Sequence, residues 1–391
     1  MTLPTILAFV GQNANQALHW ASAGLGGLFG TYGLRTAIIN LNDADYGKQL
    51  ERELRGGSVL FAFGFAGIGA SLEGERGNFW DGVGIPFLSL LYDHPAYIIG
   101  NHRLPARYVY NCYHVRDFYE AQRDYVRSSQ PARLFPQSFA FNPPARQRPW
   151  AQRDSHIVYL KTGENPAALT VAWADKPPVV RECIQALIRA AQQRTDFYLT
   201  DYLALLFQQA GLVREVHDKE FWYCLQQADR YIRAWRSDQM ARALQPFPAL
   251  IYGGGWDYLS LQGQAQFRPA IDSTHMPELF ASSRYVVNTN PFFCHGLHER
   301  TAYGLVSGCV TLTDANDAGQ EIFGDLQHYV SFDWAGGLPA LQDSIATLLR
   351  ADNDVVAASM AAEARLLQHC HHEAMFQSFL EVVRHAREVV A

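Results

Sequence analysis

The chain has 391 residues, of which 48% are hydrophobic and 18% are charged, and its formal net charge at pH 7 is −6. This length exceeds what one hydrophobic core usually serves, so two domains are expected. The composition is that of an ordinary globular protein and excludes disorder over most of the chain. The acidic balance argues against a general nucleic-acid binder, although it leaves room for a local basic cleft.

The compartment is predicted from three features of the sequence. The first ten residues carry no basic segment before their apolar run, so we expect a strand there and no signal peptide. No stretch approaches the roughly 18 uninterrupted apolar residues of a membrane span. The six cysteines are scattered without paired spacing, which is typical of reduced thiols rather than of a disulfide framework or a zinc site. A cytoplasmic protein is therefore expected.

The first half of the chain alternates strand-like runs with helical or loop segments. Residues 5–10 predict a buried strand, and a loop at 11–15 leads into a helix over 16–29. Further strands are predicted at 35–40, 59–65, 86–91, 108–111 and 133–135. This alternation predicts an α/β fold with a parallel sheet.

A second α/β layer is predicted after residues 141–150. That segment holds three prolines and can neither continue a strand nor start a long helix, so we interpret it as the linker. Strands are predicted at 156–160 and 249–252, and the helical spacing of apolar residues over 178–243 predicts an insertion between them. Helices are predicted at 277–282, 339–349 and 355–390. The predicted domains are 1–145 and 146–362, followed by a final helix at 363–391.

Several polar residues converge between Arg284 and Asp314. A strand is predicted at 285–288, a helix at 298–306 and a second strand at 309–313, which together form one βαβ unit. Ligands lie at the carboxyl ends of strands in an open parallel sheet, so residues 288–298 and 314–317 should line one crevice. A helix N-terminus suits a phosphate group. A phosphorylated ligand is therefore predicted.

Three segments carry a resemblance to a known family. They are Ile251-Tyr-Gly-Gly-Gly-Trp256, the run from His275 to Asn290, and the run from Gly296 to Asp314. Over about residues 249–349, the sequence resembles the nucleotide-sugar glycosyltransferases of the CgeB-like group. The resemblance implies the GT-B architecture, two Rossmann-like domains facing each other across a cleft. It further implies that the first domain binds the acceptor, that the second binds the nucleotide sugar, that the final helix returns to the first domain, and that no metal or other cofactor is needed.

The sequence departs from one pattern of the GT-B enzymes. Many retaining members carry two glutamates in an E-x7-E pattern at the helix that follows the Asn-bearing strand. Counting back from Gly308 places Tyr303 and His295 at those two positions. Glu299 is the sole acid near the helix.

The resemblance and the strand ends together define the donor-side candidates. They are Lys161, Gly254, Trp256, Asn288, Asn290, His295, Gly296, His298, Glu299 and Arg300. Lys161 and Arg300 are expected to stabilise the leaving diphosphate, because charge develops there during transfer. Glu299 is a candidate for the ribose hydroxyls, and Trp256 for the nucleotide base. For each of them the alternative is a structural role, such as a core tryptophan or an acid that opposes a helix dipole.

The acceptor-side candidates lie at two strand ends of the first domain. Asp93 is the first choice for the base that deprotonates the acceptor hydroxyl and His94 the second, with a turn-forming Asp-His-Pro as the alternative. Gln12 and Asn13, in the loop after the first strand, are expected to contact the acceptor or the donor sugar. A cluster around Cys370 and Glu373 has ligand-type side chains, but successive residues of a helix point in different directions, so no metal site is predicted.

The sequence therefore predicts a hexosyltransferase-like enzyme. The acceptor is expected to be a protein, a polysaccharide or a lipid-linked glycan, and no nucleic-acid partner is expected. A non-catalytic nucleotide-sugar-binding or scaffold protein of the same fold is the main alternative, because the acidic pattern is missing. An epimerase or phosphorylase of that fold, which would turn over a sugar substrate without an acceptor, is a second alternative.

Overall fold

A computed structural model of the chain describes residues 3–11, 16–75, 77–136, 148–260, 262–326, 328–350, 355–369 and 372–388. The chain packs as two compact units. The first comprises Met1–Pro143, Asp272–Thr274 and His369–Ala391, and the second comprises Pro144–Ile271 and His275–Gln368. Each unit has its own sheet and its own core. Among the described residues, no helix is both long enough and apolar enough to cross a membrane.

The first unit is built on a six-stranded parallel sheet. The strands of this unit are β1 Thr5–Val10, β2 Arg35–Asn40, β3 Val59–Phe65, β4 Glu73–Gly74, β5 Gly77–Asn78, β6 Phe87–Leu91, β7 Val109–Tyr113 and β8 Ala132–Leu134. The sheet order is β2-β1-β3-β6-β7-β8, and β4 and β5 form a separate antiparallel pair. All six residues of β1 are buried, because a central parallel strand is covered on both faces. The predicted parallel sheet is confirmed.

Five α-helices alternate with these strands in the described part of residues 3–136. They are α1 Ala17–Thr31, α2 Tyr46–Arg55, α3 Phe79–Val83, α4 Ile99–His102 and α5 Arg116–Tyr125. The predicted helix over 16–29 corresponds to α1, which buries Leu25 and Phe29 against the sheet.

The second unit contains another six-stranded parallel sheet. Its strands are β9 Asp154–Leu160, β10 Ala249–Tyr252, β11 Gln266–Arg268, β12 Ser283–Val287, β13 Val310–Asp314 and β14 Tyr329–Phe332. The order is β11-β10-β9-β12-β13-β14, so the first strand of the unit lies between the second and the fourth. The strands predicted at 156–160, 249–252, 285–288 and 309–313 are confirmed, whereas β11 and β14 were not predicted.

The helices of this unit include the segment predicted as an insertion. They are α6 Pro166–Leu169, α7 Pro178–Gln193, α8 Leu199–Gln209, α9 Asp218–Leu244, α10 Met276–Ala281, α11 Glu299–Val306, α12 Asp317–Phe323, α13 Gly337–Arg350 and α14 Val355–His369. Helices α7 to α9 fill residues 178–243. The last turns of α9 place Met240 and Leu244 in the same core as Ile157 and Ala249. This end of the predicted insertion therefore packs directly against the sheet.

The last helix, α15 His372–Glu388, packs in the first unit. Phe379 is fully buried, and its ring centroid lies 5.2 Å from that of Phe29 and 5.0 Å from that of Phe135. Met375 and Val382 join the same core. Helix α15 is thus a structural part of the first unit.

The strand orders indicate where ligands should bind. In the second sheet, the chain moves outward from β9 in one direction through β10 and β11, and in the other through β12 to β14. In the first sheet, the corresponding reversal lies between β1 and β3. Such switch points leave a crevice outside the carboxyl ends of the two strands. A ligand site is therefore expected at the carboxyl ends of β9 and β12.

Candidate functional site

A loop with one glycine, Gly163, and the glycine triplet Gly253–Gly255 interlock at the carboxyl ends of β9 and β10. The Gly163 amide donates to the Gly254 carbonyl over 2.9 Å. A Cβ atom on Gly253 would overlap the Lys161 carbonyl, and one on Gly255 would overlap the Gly163 carbonyl. Both positions also have φ in the left-handed range, at 149° and 80°. The triplet that follows β10 therefore allows a close backbone approach, and its partner is the neighbouring loop.

The Trp256 side chain packs against both loops and stabilises their contact. Its side chain is only 3% exposed, and its Nε1 donates to the Lys161 carbonyl over 3.0 Å. The indole stacks on Phe267 with ring centroids 5.5 Å apart, and it packs so closely on Gly163 that a Cβ there would overlap it. The structure therefore gives Trp256 a core role. Gly254, in contrast, is exposed, with nothing within 4 Å of the place where its Cβ would be.

The start of α11 lies beside the end of β9. His298 caps the helix by accepting a hydrogen bond at Nδ1 from the Arg300 amide over 3.2 Å. The Arg300 guanidinium donates to the Leu160 carbonyl, and its Nη2 lies 3.2 Å from His298 Nε2. Burial, together with the charges of Arg300 and Lys161, holds the pKa of His298 well below its usual range. His298 is therefore neutral at physiological pH.

Lys161 bridges the switch point. Its Nζ donates to the Thr289 carbonyl, just after β12, over 3.4 Å. Burial lowers the pKa of Lys161 to about 7, and the charges of Arg300 and Arg233 act in the same direction. Asp314 opposes this shift, but the net effect remains downward. The Lys161 amine is therefore only partly protonated near pH 7, because the nearby negative charge does not offset burial and the neighbouring cations.

The carboxylates near these cations already have other partners. Asp314 pairs with Arg236 over 3.1 Å, and Asp229 pairs with Arg233 over 2.7 Å. Lys161 and Arg300 instead donate to main-chain carbonyls. In the described part of the chain, Lys161 and Arg300 form no salt bridge with a carboxylate, and both lie beside the N-terminus of α11, an arrangement suited to an anion.

The two asparagines after β12 belong to a buried network. Asn288 is fully buried, and its Nδ2 donates to Asn290 Oδ1 over 2.8 Å and to Thr301 Oγ1 over 3.2 Å. The Asn290 amide donates to Asp314 Oδ1 over 2.7 Å. Both side chains therefore join the ends of β12 and β13 to α11. Their predicted contact with a sugar or phosphate stays a prediction.

Arg236 is a site residue that the sequence analysis missed. It lies in α9, where Nη1 donates to the Asn290 carbonyl over 3.3 Å and to Asp314 Oδ2 over 3.1 Å. It was missed because it is 54 residues from Asn290 in a helical segment without a motif. A signal did exist, since Ile232 and Met240, one turn away on either side, are both buried. An arginine on a buried stripe requires a buried partner.

The remaining donor-side candidates occupy different positions around the start of α11. His295 Nδ1 lies 3.1 Å from the Tyr198 hydroxyl, and its Nε2 lies 3.4 Å from Asp317 Oδ2. Gly296 is buried, and Glu299 is exposed in the first turn of the helix. Within the second unit, the structure thus groups Lys161, His298, Glu299 and Arg300 at one edge of the sheet.

The two candidates after β6 differ in exposure. Asp93 is exposed, whereas His94 is 4% exposed. His94 Nδ1 accepts from the Ala96 amide over 3.1 Å and so caps the 3-10 turn Pro95–Tyr97, while its ring packs on Phe118 at 5.4 Å. His94 therefore forms the turn that was the alternative to a catalytic role. Gln12 and Asn13 lie outside the described residues.

Two parallel α/β sheets of this topology define two Rossmann-like domains and a GT-B fold. Three solved structures share the fold over nearly their whole length. An α-glucosyltransferase in complex with UDP-glucose and DNA containing an abasic site has a TM-score of 0.55 at 10% identity, covering 98% of this chain and 100% of that one. The DNA-modifying enzyme β-glucosyltransferase, solved with and without uridine diphosphoglucose, has a TM-score of 0.53 at 10% identity, covering 97% and 99%. Anabaena Alr3699/HepE in complex with UDP and glucose has a TM-score of 0.50 at 9% identity, covering 98% and 100%.

A family-level match covers much of the second unit and continues into α15. Residues 233–381 match the protein-family model described as glycosyl transferase-like. This span begins in α9 and contains Arg300 and Asp314, but not Lys161. A search of the curated proteins found no match. The match is thus to glycosyltransferases in general, and it does not single out the CgeB-like group.

Proposed function

We propose that the protein transfers a sugar from a nucleoside-diphosphate sugar, and that Lys161 and Arg300 hold the donor's diphosphate. The observation that carries this proposal is the position of the two cations. Both lie where β9 ends at the switch point of the second sheet, and they donate to the carbonyls of Thr289 and Leu160. The glycosyl transferase-like match of residues 233–381 supports the transfer of a sugar.

The chemistry of transfer explains why cations are needed there. The bond between the sugar's anomeric carbon and the phosphate oxygen breaks, and the departing diphosphate takes the electron pair. In this proposal Lys161, Arg300 and the positive end of the α11 dipole stabilise that charge, and each well-placed donor is typically worth about 3 kcal/mol. A bound diphosphate would also supply the negative charge that Lys161 lacks, and so restore its protonated form.

Other candidates take supporting roles in this proposal. Glu299, exposed in the first turn of α11, is placed to accept from ribose hydroxyls, and the exposed Gly254 leaves room for a base beside its backbone. Trp256, Asn288 and Asn290 shape the loops without facing solvent. The donor is expected to bind without a metal ion.

On the acceptor side, we propose Asp93 as the base for the attacking hydroxyl, because its carboxylate is exposed after β6. His94 is a weaker candidate, since its Nδ1 already caps a turn. The acceptor is proposed to be a protein, a polysaccharide or a lipid-linked glycan. Two proteins of similar fold are described with DNA, but a net charge of −6 disfavours a DNA acceptor here.

The test is the release of nucleoside diphosphate from UDP-, GDP- and ADP-sugars, with and without a panel of glycan acceptors. We expect one donor class to be turned over, faster with an acceptor. Lys161→Ala and Arg300→Ala should each lower the rate about a hundredfold. Arg189→Ala, which removes an exposed arginine of α7, should leave it unchanged.

The same assay separates the alternatives. A scaffold protein would leave every donor intact. An epimerase or phosphorylase would convert its sugar substrate as fast without acceptor as with one, which analysis of the remaining sugar substrate detects. Equal rates in the native protein and in Arg300→Ala would contradict the proposed site.

A further inference from the structure

One carboxylate joins several elements of the second unit. Asp314, the last residue of β13, accepts at Oδ1 from the Asn290 amide over 2.7 Å. Its Oδ2 accepts from Arg236 over 3.1 Å and from Trp334 Nε1 over 3.3 Å. The loop after β12, helix α9 and the turn after β14 therefore meet at a single side chain.

Consecutive carbonyls of the loop after β12 each accept from a cation. The Thr289 carbonyl accepts from Lys161 Nζ over 3.4 Å, and the Asn290 carbonyl accepts from Arg236 Nη1 over 3.3 Å. Because these carbonyls belong to adjacent residues, a shift of the contact to Arg236 moves the partner of Lys161 as well.

Arg236 itself is sealed from solvent. Its side chain is 2% exposed, and its guanidinium lies 4.9 Å from the ring centroid of Phe292 and 5.4 Å from that of Trp334. In the described part of the chain, its Nε and Nη2 have no hydrogen-bond partner. A ligand at the end of β9 cannot touch such a group, so any effect of Arg236 on binding must act through the residues it holds.

We propose that Arg236 is a positioning residue for the diphosphate site. Paired with Asp314, it fixes the peptide units of Thr289 and Asn290, and thereby sets Lys161 relative to Arg300 at the start of α11. This inference rests on the proposed function, because it assumes that Lys161 and Arg300 bind the diphosphate. It adds that diphosphate binding requires the buried ion pair between Arg236 and Asp314, although Arg236 does not contact the ligand.

The test compares ligand affinity with stability in the full chain. Dissociation constants for UDP and for inorganic pyrophosphate are measured by calorimetry well below the melting temperature, for the native protein, Arg236→Met and Arg236→Lys. We expect Arg236→Met to weaken UDP binding about tenfold to a hundredfold, since small misplacements of binding groups carry large effects. Arg236→Lys keeps a cation for Asp314 and should recover part of the loss.

Arg242→Met provides a matched control. Arg242 lies on the same helix and pairs with Asp238 over 2.8 Å, but that partner belongs to its own helix rather than to a strand end. This variant should lower the melting temperature and leave the UDP affinity of the folded protein unchanged. If Arg236→Met does not fold, Trp334→Phe removes one donor to Asp314 while keeping an aromatic ring, and it should weaken UDP binding in the same direction.

The outcomes are distinguishable. Unchanged affinity in the Arg236 variants, with only the melting temperature lowered, would show a merely structural role and overturn the inference. Native protein that binds neither pyrophosphate nor any of UDP, GDP, ADP and CDP would instead overturn the proposed function, and the inference with it.

Discussion

The surroundings of Lys161 favour an anionic ligand. Burial is the largest cause of its lowered pKa of about 7, and the nearby charges of Arg300 and Arg233 lower it further. A lysine kept in such a place is expected to be reprotonated by an anion. Histidine cannot supply this charge here, because burial and the neighbouring cations keep His298 neutral.

Diphosphate binding should therefore weaken as the pH rises from 7 to 9. Unbound Lys161 loses its proton through a pKa of about 7, and the anion must then recruit that proton on binding. The dissociation constant should rise by up to about tenfold per pH unit. The ligand's own terminal phosphate, with a second pKa near about 6, is already ionised across this range. Calorimetry with UDP measures the slope, and Lys161→Arg should flatten it; an equal slope in both proteins would contradict the role of Lys161.

Gly163 tests the interlocked loops. A Cβ on Gly163 would overlap both the Trp256 indole and the Gly255 carbonyl, so Gly163→Ala should destabilise the protein by roughly 1–3 kcal/mol. Gly254→Ala is the matched control, because nothing lies within 4 Å of its Cβ position. Urea unfolding of the two variants measures the difference. Equal stabilities would show that the loops can separate without cost.

Single residues also mark the limit of prediction from sequence. Trp256 follows a glycine triplet at a strand end, a position compatible with stacking on a base or with filling the core, and only the packing on Gly163 and Phe267 distinguishes the two. Arg236 carried no motif, and its partners Asn290 and Asp314 are far away in sequence. Asn288 and Asn290 were correctly placed at a strand end, but their internal hydrogen bonds could not be predicted.

At the level of elements, apolar pattern was sufficient where strands are buried. The bounds of β1, β2, β3 and β10 were predicted to the residue, because each is an apolar or β-branched run bounded by turn residues. In contrast, β11 was missed, since its three residues show an exposed–intermediate–exposed pattern and it pairs only with β10 at the edge of the sheet. β14, the other edge strand, was also missed, and its two middle residues are not buried.

Helix α15 should be essential to the stability of the first unit. Phe379 packs against Phe29, Phe61 and Phe135 in its core, so Phe379→Ala should lower the unfolding free energy by about 3–5 kcal/mol. Gln377→Ala, at an exposed position of the same helix, should change it by no more than about 0.5 kcal/mol. Urea denaturation of the full chain followed by tryptophan fluorescence makes the comparison. Similar midpoints for both variants would mean that α15 contributes little.

For the molecule as a whole, the fold class was predicted but the strand orders were not. The linker-like segment and the repeated strand–helix pattern predicted two α/β domains, the family resemblance implied that they are Rossmann-like, and both sheets are parallel as expected. The strand order depends on tertiary packing, such as that of α9 and α11 against the sheet, which the pattern of a single segment does not specify. That order places Lys161 beside the start of α11 although 138 positions separate Lys161 from Glu299.

The central claim is that the second unit binds the diphosphate of a nucleotide sugar through Lys161 and Arg300. The most direct measurement is a thermal-shift panel of UDP, GDP, ADP and CDP with the native protein, Arg300→Ala and the control Arg189→Ala. A diphosphate at a hundredfold excess over its dissociation constant should stabilise the native protein and the control by about 2.7 kcal/mol. We predict such a shift with one nucleotide and its loss in Arg300→Ala. No shift with any diphosphate, or an equal shift in all three proteins, would contradict the claim.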